Sequence, residues 1–113
     1  MRTLDIDFLI PKPNRIRKDV DVSEVLAKLD FKVQINVTDG VVKHAHPDLL
    51  LEFLVLMQGK GQQGPYKIAK FKTNAVGLRM LDLLAGNILT VLYHGVRVNV
   101  PTPAAYALHK FLL

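Results

Sequence analysis

Residues 49–57, Leu-Leu-Leu-Glu-Phe-Leu-Val-Leu-Met, constrain the fold of this chain more than any other stretch. The run is too short and too charged to span a bilayer. It reads instead as a strand covered on both faces, and therefore as the centre of a sheet. Its one polar residue, Glu52, is costly in such a place unless it meets a cation. The partner is either a basic side chain, with Lys43 and Arg97 the candidates, or a bound metal.

A second strand is expected at residues 2–10. Leu4, Ile6 and Phe8 alternate with Thr3, Asp5 and Asp7, so the two aspartates share one face. Side by side they repel, and burial without a cation would force a proton onto one of them. Their face therefore turns to water or binds a cation. Three hard oxygen donors from Asp5, Asp7 and Glu52 would suit Mg²⁺ or Mn²⁺. The chain has no cysteine, which removes disulfides, thiolate metal sites and cysteine nucleophiles.

The rest of the chain punctuates clearly. Asp21 and Glu24 are spaced as a capping box before a short helix over residues 22–29. Residues 32–37 and 41–43 form a hairpin around Thr38-Asp39-Gly40. Residues 44–48, with His44 and His46, read as a surface loop, and residues 58–65 as a glycine-rich one. A lysine-bearing strand is expected over 66–72 and a helix over 75–84, closed by Gly86-Asn87. Residues 88–93 and 96–100 make a second hairpin, and Thr102-Pro103 starts a final helix. Interleaved helices, strands and hairpins place the chain in the α+β (mixed α/β) class, with helices packed on a mixed sheet. At 113 residues it makes one domain.

A net charge of +5 favours anionic partners. Lys67, Lys70 and Lys72 beside Tyr66 and Phe71 are either a solvated face or a nucleic-acid patch. Ser23, the single serine, starts a helix, so a hydrolase triad is not expected. No leader or membrane segment is legible, and a cytoplasmic setting is expected.

The segment Arg2-Thr3-Leu4-Asp5-Ile6-Asp7-Phe8-Leu9 resembles the acidic motif of the DNA polymerase beta-like nucleotidyltransferase superfamily. In particular the chain resembles bacterial nucleotidyltransferase-fold proteins of poorly defined substrate related to abortive-infection toxins. Leu51-Glu52-Phe53-Leu54 resembles their third acidic strand, and residues 98–110 the strand-to-helix segment beyond it. The resemblance implies Asp5, Asp7 and Glu52 as catalytic metal ligands, Mg²⁺ or Mn²⁺ as cofactor, and a nucleoside triphosphate as substrate. The acceptor hydroxyl would belong to RNA, protein or a small molecule. It also implies that Lys110 contacts phosphate and that Arg2 and Thr3 position either the metal-binding strand or the nucleotide. The superfamily pattern carries a Gly-Gly or Gly-Ser turn before the acidic pair, whereas only four residues precede Asp5. The expected unit is therefore a nucleotidyltransferase-like domain truncated at its N-terminus, part of a longer protein and able to self-associate. Two rival readings stand beside it: a non-catalytic binding or regulatory remnant of the same fold, and a basic nucleic-acid-binding domain.

Overall fold

A computed structural model describes residues 4–56 and 65–112. The chain runs β1 (Leu4–Ile10), α1 (Val22–Ala27), β2 (Lys32–Ile35), β3 (Val42–Ala45), β4 (Leu49–Leu56), β5 (Tyr66–Ile68), β6 (Thr73–Leu78), α2 (Leu81–Ala85), β7 (Ile88–Tyr93), β8 (Val96–Pro101) and α3 (Pro103–Leu112). Six strands form one mixed sheet with β4 at its centre. β1 lies parallel to β4 along one edge, over the whole length of β1. The other edge of β4 is shared: antiparallel β3 pairs with Leu50 and Leu51, and parallel β6 pairs with residues 54–56. β2 continues outward from β3, and β5 from β6.

The apolar run thus takes the central place its composition demands. Leu51, Phe53 and Val55 point to one face and join Ile68 and Ala75 in the core; α1 closes that face with Val22 and Leu26. Phe53 is the hub, its ring centroid 5.9 Å from Phe8, 6.0 Å from His44 and 6.1 Å from Phe71. Burying Val55 here contributes about 1.5–3 kcal/mol relative to leaving it in water. Leu54, also buried, points to the opposite face by strand alternation. α2 packs on β4, and α3 on α2. Leu81, Leu84, Ala105 and His109 are the buried residues of these two helices.

Local chemistry sets the element ends. The Asp21 carboxylate accepts a hydrogen bond from the Glu24 backbone N–H at 3.1 Å, as the capping pattern requires. α1 stops at Ala27, two residues before the expected end. Asp30 takes a left-handed conformation, and the Phe31 N–H returns to the Leu26 carbonyl. The second hairpin turns through His94 and Gly95, both at positive φ, which a two-residue turn of this hand needs. Thr102 caps α3 by accepting from the Ala105 N–H. In the β7–β8 register, Leu89, Val91, Tyr93, Val96, Val98 and Val100 form a continuous apolar face.

Three expectations are corrected. The helix expected over 75–84 is instead β6 followed by the short α2. β3 leaves β4 after Leu51, so the buried backbone beyond it needs another partner; that tertiary demand outweighs local helix propensity. The Asn74 side chain seals the divergence: it accepts from the Val42 N–H at 2.7 Å and donates to the Gly40 carbonyl at 2.9 Å. The strand expected over 66–72 ends at Ile68 and gives way to a 3₁₀ turn. The loop expected over 44–48 is shorter, residues 46–48 with His46: β3 extends through His44 to Ala45, and His44 is only 1% exposed. Its Nε2 lies 3.3 Å from the Thr73 hydroxyl. Residues 58–64 of the glycine-rich loop lie outside the described residues.

Burial pushes the His44 imidazole below its ordinary value of 6.5. The folded state holds the ring neutral, while the unfolded chain protonates it near 6.5. The stability due to His44 is thus complete above that pH and falls as the pH drops through 6.5 toward the lower folded value. Urea midpoints of wild type and His44→Leu at pH 7.5 and 5.5 should show a larger acid-induced drop in the wild type. Equal drops would mean that the imidazole does not titrate with unfolding.

Candidate functional site

The parallel register sets Asp7 directly beside Glu52 and Asp5 beside Leu50. Adjacent strands lie about 4.8 Å apart, and side chains opposite each other in register share a face. Asp5, Asp7 and Glu52 therefore project from one face of the sheet, away from the Phe53 core. On the far edge of β4, Lys43 completes the row: its ammonium lies 3.7 Å from Glu52 Oε2. Asp5, Asp7, Lys43, Leu50 and Glu52 line a cleft of about 100 Å³, room for about three waters at ~30 Å³ each.

Electrostatically the cleft is under-compensated. Asp7 is exposed at its outer edge; partial burial against the sheet pushes its carboxyl upward, Asp5 adds to the rise and Lys43 opposes it. Glu52 rises for the same first reason, burial. Lys43 offsets part of that rise, and the charges of Asp7 and Asp5 add to it. Glu52 Oε2 is buried without a hydrogen-bond partner. The 3.7 Å ion pair is too long to serve as one. A buried oxygen without a hydrogen bond costs about 1–3 kcal/mol, and two neighbouring carboxylates compound the cost. Hard oxygen donors, crowded and short of positive charge, are the donor set a divalent cation takes. Among the described residues, no three acidic or histidine side chains yet stand close enough to enclose one ion. In the present arrangement Lys43 carries the counter-charge.

The remaining sequence candidates separate from this cleft. Lys110, on α3, is exposed and does not line it. Its ammonium sits 4.9 Å from the Tyr106 ring centroid, a cation–π contact one helical turn away. Arg2 and Thr3 lie outside the described residues. Arg97 pairs across the second hairpin, opposite Leu92, which leaves Lys43 as the basic partner of Glu52. Lys67 and Lys72 flank a larger cleft of about 680 Å³ beside Asn74, and among the described residues no carboxylate lines it. Lys43, one of the two basic partners the sequence offered Glu52, is the one that reaches it. The signal for it was the alternation of β3, which sends Lys43 to the face opposite buried His44.

A mixed α+β sheet with acidic residues on two adjacent parallel strands defines the class: a fold that gathers carboxylates at one cleft. A family model described as Nucleotidyltransferase matches residues 1–113, and the chain belongs to that family. No curated protein and no solved structure matches it. No helix among the described residues is long and apolar enough to cross a membrane.

The raised carboxyls have a stability consequence. A group held above its unfolded value stabilises fully below that unfolded value, 3.8 for Asp7, and the contribution is lost as pH rises through the folded one. At neutral pH Asp7 is thus a net cost in the metal-free protein. Asp7→Asn should raise the metal-free stability at pH 7 by up to about 1 kcal/mol, since solvent screens an exposed charge. The gain should vanish near pH 3. A destabilised Asp7→Asn at pH 7 would show that Asp7 is already compensated.

Proposed function

We propose that the cleft of Asp5, Asp7 and Glu52 is a divalent-metal site for nucleotidyl transfer. The reaction moves a nucleoside monophosphate from a triphosphate to a hydroxyl acceptor on RNA, protein or a small molecule. The observation that carries this reading is the Asp7–Glu52 register, which brings the acidic pair of β1 and the lone acid of β4 to one cleft. Family membership supports the reaction class. Glu52 Oε2, without a hydrogen bond and met only by the long Lys43 ion pair, supports a cation there. Bound Mg²⁺ or Mn²⁺ would supply Lewis-acid stabilisation of the phosphate charge and lower the pKa of a coordinated hydroxyl.

The chain's own residues have distinct parts in this reading. Asp5 and Asp7, on the exposed end of the cleft, meet the incoming metal–nucleotide first. Glu52, half-buried and held by the central strand, fixes the depth at which it stops. Leu50 forms an apolar floor between them. Rigid parallel strands hold the carboxylates in place without a loop that must order on binding.

The Lys43–Glu52 pair favours one second reading: a binding module of the same fold in which the lysine is a permanent counter-ion. Melting curves separate the two. Millimolar Mn²⁺ should raise the Tm of the wild type; at 100 times Kd the added stability is about 2.7 kcal/mol. Asp7→Asn should abolish the shift. An unshifted wild-type curve would favour the module. A shift accompanied by transfer of label from an α-³²P nucleoside triphosphate, lost in Asp7→Asn, would favour the enzyme.

A further inference from the structure

Lys43 is the one basic side chain lining the acidic cleft among the described residues. It approaches Glu52 at 3.7 Å, outside hydrogen-bond range, and 38% of its side chain is exposed. Its cross-strand neighbour on β2 is Gln34, exposed and uncharged, so no second acid anchors it from that side. An ammonium on a four-carbon stem is a point charge that can swing. It stands at the wall of the cleft, held by one long ion pair.

A charge so placed acts in opposite directions on two kinds of ligand. A bare divalent cation entering the carboxylates must displace or approach Lys43, and like charges repel at this range. A divalent cation carried on a polyphosphate brings excess negative charge into a cleft that is already net negative. There Lys43 would pair with a phosphate oxygen, leaving Glu52 free to serve as a ligand to the cation, since lysine binds phosphate as a point charge.

We propose that Lys43 is a resident counter-ion that makes this cleft select a metal–polyphosphate over the bare metal. The proposal rests on the metal-site reading above and deepens it: it assigns the discrimination between the two ligands to a residue outside the acidic triad.

The test is calorimetric titration of wild type, Lys43→Met and Lys43→Arg with two probes, Mn²⁺ alone and Mn²⁺ with inorganic tripolyphosphate. Lys43→Met should bind bare Mn²⁺ on the order of tenfold more tightly and Mn²⁺–tripolyphosphate on the order of tenfold more weakly. Lys43→Arg, which keeps the charge, should retain the wild-type preference. A purely structural lysine would shift both affinities in the same direction, and that result, or no shift, overturns the proposal. If neither wild type nor Lys43→Met binds Mn²⁺ in either form, the metal-site reading itself falls, an outcome distinct from loss of discrimination. Should Lys43→Met not fold, Lys43→Gln replaces it. Acetic anhydride labelling of the wild type, read by mass spectrometry, gives an answer without mutation. Bare Mn²⁺ should speed Lys43 acetylation and Mn²⁺–tripolyphosphate should slow it; identical labelling under both conditions overturns the proposal.

Discussion

The structure depends on one pairing, that of β1 with β4. Their parallel ladder runs from Leu4 opposite Leu49 to Ile10 opposite Val55. It puts Phe8 against Phe53 on the core side and Asp7 against Glu52 on the other. Strand periodicity makes these two facts inseparable: a slip of one residue would turn the aspartates into the core and Phe8 toward the cleft. The aromatic contact thus fixes the register that assembles the carboxylates.

The same face of the sheet serves two purposes along its length. At the level of Asp5 and Glu52 it is polar and open; near Leu54 it is apolar, and α2 packs on β4. The change coincides with the exchange of neighbours on the far edge of β4, from β3 to β6. β3 brings Lys43 to the polar half. Asn74 closes the fork by bonding the backbone of Gly40 and Val42. An irregularity in the sheet therefore accompanies the placing of Lys43, the one basic residue lining the cleft among the described residues.

The cleft is also where the fold opposes its own stability. Burial raises the carboxyls of both Asp7 and Glu52, and Glu52 Oε2 lacks a hydrogen bond. The Phe53 core on the reverse side offsets that cost. Such opposed arrangements concentrate at functional sites, because ligand binding relieves what folding alone leaves uncompensated.

The amino-acid sequence alone determined the central strand Leu49–Leu56, the shared face of Asp5 and Asp7, both hairpins, and the caps at Asp21 and Thr102. Each follows from periodicity or from a hydrogen bond within a few residues. The sequence also narrowed the partner of Glu52 to two basic side chains or a metal. Only the tertiary structure decided that Lys43 is the basic partner, that His44 is buried, and that residues 73–78 are a strand. Those outcomes turn on which backbone edge is left unpaired when β3 departs from β4, a long-range demand that no local pattern encodes.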